Sequence, residues 1–129
     1  MNLIRFTTVL IAACALSTGS TAQNGTKNAP VWPTKPIKFL VGFPGGSTPD
    51  MSARTLAEPL SKLLGQPVVV ENRPGASGNI AADLVAKVAD DHSFGVVING
   101  NLTSAKMLNP RLAFDPATDF SFISLLTTA

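Results

Sequence analysis

The chain has 129 residues, of which 14% are charged and 45% hydrophobic, and its formal net charge is +2. A balance this small, with the basic residues spread along the chain, argues against a nucleic-acid-binding protein. The single cysteine and the single histidine exclude an internal disulfide and most zinc sites, and we expect no metal, cofactor or redox chemistry. The length fits one domain at most.

The first segment has the pattern of a bacterial-type secretory signal peptide. Arg5 supplies a positive charge, an uncharged apolar run covers residues 6–16, and small residues occupy positions 20–22. That run is shorter than the roughly 20 apolar residues that a transmembrane helix needs. The pattern predicts cleavage after Ala22 and export to the periplasm. A buried N-terminal helix is the alternative structure, and lipid attachment at Cys14 is the alternative processing route.

The first periodic unit is a strand, a turn and a helix. An apolar, β-branched run at 37–43 predicts a buried strand. The turn at 44–50 then leads into an α-helix, with Thr48 as the predicted N-cap and Gly65 as the residue that closes the helix. Pro59 lies inside this helix and is expected to kink or split it.

A second unit repeats this order and predicts a parallel sheet. Its helix is expected to turn Ile80, Leu84 and Val88 inward. The predicted elements after the first helix are a strand at 68–70, a glycine-rich turn at 72–78, a helix at 79–89, a strand at 94–98, a short helix at 104–108 and a fourth strand at 120–126.

Both glycine-rich turns lie where a strand ends and a helix begins, which is where ligands bind in open α/β sheets. Glycine lets the backbone approach a ligand closely, and a helix N-terminus favours an anion without any Lys or Arg. The candidate residues are Gly45, Gly46, Ser47 and Thr48 in the first turn, and Gly75, Ser77, Gly78 and Asn79 in the second. Together the two turns predict a carboxylate site, whereas either one alone is more typical of a tight turn before a capped helix.

Enzyme motifs are missing from both turns. The first lacks the Gly-Lys-Ser/Thr end of a P-loop, neither has the dinucleotide-binding glycine spacing, and Asn79 stands where a nucleophile elbow has its second glycine. His92, the sole candidate base, is predicted on the opposite edge of the sheet, in a structural or solvent-exposed role. Asp90 and Asp91 are interpreted as a solvated pair, and Trp32 as a plug on the surface.

Three longer motifs occur at 32–37 (Trp-Pro-Thr-Lys-Pro-Ile), 42–50 (Gly-Phe-Pro-Gly-Gly-Ser-Thr-Pro-Asp) and 64–79 (Leu-Gly-Gln-Pro-Val-Val-Val-Glu-Asn-Arg-Pro-Gly-Ala-Ser-Gly-Asn). These motifs resemble the Bug family, the extracytoplasmic solute receptors of tripartite tricarboxylate transporters. The resemblance continues at Ala53-Arg54, Phe114-Asp115-Pro116 and Asp119-Phe120. The resemblance implies an α/β fold of the periplasmic binding protein type (type II), with two lobes that close on a small carboxylate, and delivery of that ligand to membrane permease subunits.

The resemblance also implies which residues face the ligand. It extends the first loop to Asp50, includes Ala76 in the second, and adds Asn99 and Asn101 from the loop after the third strand, with Thr103 near them. The rival functions are a receptor that presents its ligand to a two-component sensor and, less favoured, a small exported hydrolase. Neighbouring genes for permease subunits would favour the transport receptor, and genes for a two-component system would favour the first rival. Loss of esterase activity in Ser77→Ala would support the hydrolase.

The predicted organisation is a signal peptide at 1–22, a linker at 23–35 and a partial N-terminal lobe at 36–129, with a parallel sheet and flanking helices. Family members have two lobes, so this chain is expected to cover about the first two fifths of one, either as a truncated reading frame or as an incomplete sequence. Alone, it is expected to bind ligand weakly and to lack the stability of a well-folded monomer.

Overall fold

The structure, a computed structural model that describes residues 31–88 and 90–128, is built on a three-stranded parallel sheet. The predicted signal peptide, its cleavage site, the lipidation alternative at Cys14 and most of the predicted linker lie outside the described residues. The elements are β1 (Ile37–Val41), α1 (Thr48–Leu64), β2 (Val68–Asn72), a 3-10 turn (Ala76–Gly78), α2 (Asn79–Lys87), β3 (Ser93–Val96), α3 (Asn99–Leu102) and α4 (Ser104–Leu108).

The strand order is β2-β1-β3, so the first strand of the chain is the central one. Ile37 pairs with Val68 on one side, and Lys38 pairs with Ser93 on the other. Ile37 and Val41 are buried, as expected for a strand with a neighbour on each side. Because all the strands run in the same direction, the loops that follow them meet at one edge of the sheet.

Helix α1 begins and ends close to the predicted positions. Ser47, in an extended conformation, precedes the first helical residue, Thr48, so the predicted N-cap is displaced by one residue. Gly65 closes the helix at φ 68°, and its N–H donates to the Ser61 carbonyl, which confirms the predicted C-cap. The predicted split at Pro59 is wrong, since the helix is continuous and Pro59 lies on its exposed face.

Helix α2 buries its alanines rather than its larger side chains. Ala81 and Ala82 are completely buried, whereas Ile80, Leu84 and Val88 are 47%, 38% and 41% exposed. The predicted inward face is therefore wrong. Small side chains let a helix lie close to a sheet, and a hydrophobicity pattern that favours Ile and Leu misses this.

The other predicted boundaries shift by a few residues, and one strand is absent. Helix α2 ends at Lys87, β3 covers Ser93–Val96 rather than 94–98, and the short helix at Ser104–Leu108 is confirmed. Within the described residues, 120–126 form no strand and have no ladder partner, so that prediction is wrong. An apolar segment becomes a strand only where a sheet edge is positioned to pair with it. None of the described helices is both long and apolar enough to cross a bilayer.

The residues just before β1 are attached to the turn before β3. Thr34 donates its backbone N–H to Nε2 of His92 at 3.1 Å, and the indole Nε1–H of Trp32 donates to the Asp91 carbonyl at 3.0 Å. The rings of Trp32 and His92 lie 5.7 Å apart. His92 is buried at the amino-terminal edge of the sheet, so of the two predicted roles the structural one is confirmed and the solvent-exposed one is wrong. The carboxyl-terminal loops are at the other edge.

Candidate functional site

The two glycine-rich loops touch each other through a pair of glycines. A Cβ atom on Gly42, the residue after β1, would lie 2.5 Å from Cα of Gly78 and 2.8 Å from its carbonyl oxygen. The Phe43 ring lies 3.0 Å from the position that a Cβ of Gly78 would take. This contact holds the residues that lead into loop 44–50 against loop 75–79. Sequence reasoning missed Gly42, although a glycine inside an apolar strand pattern is a signal of close backbone approach.

The first loop is built around the carboxylate of Asp50, which is only 1% exposed. Its Oδ2 accepts the Gly46 N–H at 2.8 Å, and its Oδ1 accepts Nδ2 of Asn72 at 2.8 Å. Nε of Arg54, one helical turn along, donates to both oxygens at 3.0 and 3.1 Å. The hydrogen bond from Arg54 is the main cause that holds the pKa of Asp50 well below its usual range, and the Gly46 and Asn72 hydrogen bonds add to it. Asp50 is therefore a charged, internally satisfied residue.

Asn72, at the end of β2, extends this cluster across the edge of the sheet. Its Nδ2 also donates to the Phe43 carbonyl at 2.9 Å, and its Oδ1 accepts Nη2 of Arg54 at 3.1 Å. Asp50 and Asn72 thus tie α1, the loop after β1 and β2 together. Neither Arg54 nor Asn72 was a predicted site residue. The i, i+4 spacing of Asp50 and Arg54 was the available signal.

The remaining first-loop residues differ in whether their polar groups are already hydrogen-bonded within the loop. Gly46 has φ 83°, in the left-handed region, and its N–H is occupied by Asp50. Ser47 donates its Oγ hydrogen to the Pro44 carbonyl at 2.7 Å. Gly45 and Thr48 are exposed and border open space at the N-terminus of α1. A cleft of about 590 Å³ opens there, between the start of α1 and residues 124–127.

The second loop has an unusual backbone. Four successive residues, Gly75 to Gly78, have positive φ, and two of them are not glycine: Ala76 at 47° and Ser77 at 54°. Non-glycine residues with positive φ are uncommon and cluster at functional sites. Among the described residues, the N–H groups of Ala76 and Ser77 have no protein acceptor, and both residues are exposed. These are two free donors next to the N-terminus of α2.

The loop after β3 is hydrogen-bonded to the second loop through Asn101. Asn101 is 2% exposed, and its Nδ2 donates to the Ser77 carbonyl at 2.9 Å and to Oδ1 of Asn79 at 2.7 Å. Its Oδ1 accepts the Ile98 N–H at 3.2 Å. Asn99 is exposed at the start of α3, and its carbonyl accepts the Thr103 hydroxyl at 2.9 Å. All three predicted loops therefore come together, but Asp50 and Asn101 lie inside them rather than on their surface.

The arrangement suits an anion held by the backbone. The Asp50 carboxylate is neutralised by the Arg54 guanidinium, so the buried charge leaves no net repulsion at the first loop. The free N–H groups of Ala76 and Ser77 and the positive ends of α1 and α2 attract negative charge. The described residues contain no cluster of three or more His, Cys, Asp or Glu side chains that would hold a metal ion.

Comparison with known proteins identifies the family. Residues 52–129 match the family model described as the tripartite tricarboxylate transporter family receptor, TctC. The chain belongs to this family. Curated relatives include a UPF0065 protein in the TAR-I ttuE-ttuC' intergenic region of Agrobacterium vitis, 35% identical over 123 residues, a match that covers 95% of this chain and 34% of the relative. BugT of Bordetella pertussis is 41% identical over 91 residues, which cover 70% of this chain and 27% of BugT.

Solved structures of the same type share this TctC chain's fold. MatC from Rhodopseudomonas palustris, with bound malate, superposes with a TM-score of 0.66 at 35% identity, over 73% of this chain and 32% of MatC. A second R. palustris protein, solved with adipate, has a TM-score of 0.64 at 43% identity, over 67% of this chain and 29% of that protein. These comparisons confirm the predicted family and α/β periplasmic binding protein fold, which are those of solute-binding proteins. The chain spans about a third of the length of the curated relatives it matches.

Proposed function

We propose that this chain supplies one side of the binding site of a periplasmic receptor that captures a small carboxylate for a tripartite membrane transporter. One observation carries the proposal: the free N–H groups of Ala76 and Ser77, held in a left-handed conformation beside the N-terminus of α2. The malate and adipate of the similar solved structures support a small carboxylic acid as the ligand class. In this proposal the permease subunits are the partners.

In the proposed mechanism, one ligand carboxylate accepts the N–H groups of Ala76 and Ser77. A charge-assisted hydrogen bond of this kind contributes about 1.5–3 kcal/mol when it is shielded from water. We also propose polar contacts from the exposed residues Gly45, Thr48 and Asn99, which belong to the other two predicted loops at the same edge of the sheet. The residues that hold the loops in shape without touching the ligand are Gly46, Ser47, Asp50, Gly75, Gly78, Asn79 and Asn101.

In the proposed complex, one face of the carboxylate contacts this chain and the opposite face is exposed to water. Exposed ion contacts are worth only about 0–1 kcal/mol each, so we expect millimolar affinity for the chain as it is. A two-lobed receptor strengthens the same contacts by excluding water, because hydrogen bonds to charged groups gain strength in a low dielectric. Closure of the two lobes therefore captures the ligand, and opening of the lobes releases it.

The test is an NMR titration of the isotope-labelled chain with malate and with adipate, and the dimethyl ester of each acid serves as the uncharged control. We expect concentration-dependent shifts of the amides of Ala76 and Ser77 with the acids only. Equal shifts with the esters, or shifts confined to other parts of the chain, would contradict the proposal.

A further inference from the structure

The buried side chain of Asn101 is fully used by its neighbours. Its two amide hydrogens bind the Ser77 carbonyl and Oδ1 of Asn79, and its oxygen accepts the Ile98 N–H. A Cβ atom on Gly78 would lie 3.1 Å from Oδ1 of Asn101, so the second loop rests directly on this side chain. Asn101 comes from a different strand connection, more than twenty residues further along the chain.

The second loop needs such a support, because its backbone does not favour this shape on its own. Ala76 and Ser77 carry a steric penalty at φ 47° and 54°, since a Cβ atom crowds the carbonyl oxygen in the left-handed region. The hydrogen bonds inside the loop run from Gly78 N–H to the Gly75 carbonyl and from Asn79 N–H to the Ala76 carbonyl. The Ser77 carbonyl is held by Asn101. This carbonyl is part of the Ser77–Gly78 peptide group, so the hydrogen bond from Asn101 fixes the orientation of that group.

We infer that Asn101 is a positioning residue that holds Ala76 and Ser77 in the conformation that binds the carboxylate. The inference rests on the proposed function of the second loop and deepens it. Without the Asn101 amide, the Ser77–Gly78 peptide group loses its hydrogen bond to the rest of the fold, and the steric penalty at Ala76 and Ser77 then favours a shift of both residues towards negative φ. Apparent affinity is reduced by the fraction of molecules in the competent conformation, so a fall to about one fifth raises the apparent Kd about fivefold.

The experiment compares three variants of the full chain with the native chain. Asn101→Ala removes the support without adding charge. Gln66→Ala is the control, because it removes a side-chain amide from the turn before β2, at the opposite edge of the sheet from the loops. In the third variant, Asn101→Ala is combined with Ser77→Gly, because glycine adopts positive φ about as readily as negative φ.

Two measurements are made on each variant. The first is the intraresidue NOE between the amide and α protons of residue 76, and of residue 77 where it is serine, which is strong only when φ is positive. In the double variant residue 76 alone is read, because glycine has an α proton near its amide at either sign of φ. The second is the malate Kd from amide shifts. We expect Asn101→Ala to weaken both NOEs and to raise the Kd about fivefold, Gln66→Ala to change neither, and the double variant with Ser77→Gly to recover most of the affinity.

The outcomes separate this inference from the proposed function. If the native chain shows no malate-dependent shift, the proposed function fails, and the NOE alone decides the role of Asn101. If Asn101→Ala keeps both NOEs and the native Kd, Asn101 does not position the loop. A variant that unfolds also overturns the inference, because Asn101 would then hold the whole fold rather than one loop.

Discussion

Asp50 and Asn101 are polar residues of the predicted binding loops, and both have their polar atoms turned inward. Asp50 accepts hydrogen bonds from a loop amide, an arginine and an asparagine, and Asn101 connects two loops. A buried polar group must find partners, so a residue of this kind in a loop serves first to fix the loop. At residue scale, the predicted site therefore contains two kinds of residue, those that face the ligand and those that hold them.

The depressed pKa of Asp50 predicts how stability depends on pH. The folded pKa lies below the value of about 3.9 expected in the unfolded chain, so this contribution is complete above that value. It is lost as the pH falls through the folded pKa. We expect the native chain to lose stability on acidification below about pH 4, and Asp50→Asn to be less stable at neutral pH with a smaller further loss in acid.

Denaturant unfolding between neutral and acidic pH checks this expectation. Glu58→Gln is the control, because Glu58 is an exposed carboxylate of the same helix that pairs with Lys62. An Asp50→Asn variant with native stability and the native acid response would show that the buried carboxylate does not hold the first loop.

At the scale of elements, the site depends on how closely the end of β1 approaches the second loop. Gly42→Ala places a methyl group 2.5 Å from Cα of Gly78, and backbone atoms on both sides cannot move aside. We expect the free energy of unfolding to fall by about 1–3 kcal/mol, the usual range for overpacking. Urea unfolding measures it.

The matched control is Gly45→Ala, three residues further along, where nothing lies within 4 Å of the added methyl group. Its stability is expected to stay within about 0.5 kcal/mol of the native value. Similar effects of the two substitutions would mean that the Gly42–Gly78 contact is not what limits the space between the loops.

For the whole molecule, the exposed apolar side chains near the carboxyl end of the described chain predict self-association. Phe122, Ile123 and Leu125 are 66%, 75% and 76% exposed. Exposed apolar patches drive association in water. We expect sedimentation velocity to show a weight-average mass that rises with concentration, and replacement of these three residues by serine to reduce that rise.

Leu63→Ser is the comparison for this experiment, because Leu63 is at least as exposed but lies twelve residues from Met51, the other exposed large apolar residue of α1. It is expected to leave the association unchanged. A native chain that sediments as a monomer at all concentrations would contradict the prediction, as would a serine variant that associates as strongly as the native chain.

The strands β1 to β3, the helices α1, α2 and α4, the C-terminal end of α1 and the positions of the glycine-rich loops follow from local patterns in the sequence. Gly65 is an example, since a glycine after an apolar helical stripe specifies a left-handed C-cap by its own conformational freedom. The family motifs are also continuous stretches of sequence, and the comparison with TctC receptors confirms the family and the fold that they predict.

Only the tertiary structure decided which residues meet. Four features depend on residues distant in sequence. They are the packing of Gly42 on Gly78, the burial of Asp50 and Asn101, the burial of Ala81 and Ala82 on the inner face of α2, and the lack of a strand at 120–126. A local pattern records the preference of a segment for helix, strand or turn. Close approach and hydrogen-bond satisfaction are properties of pairs, and they exist only once the chain has brought those pairs together.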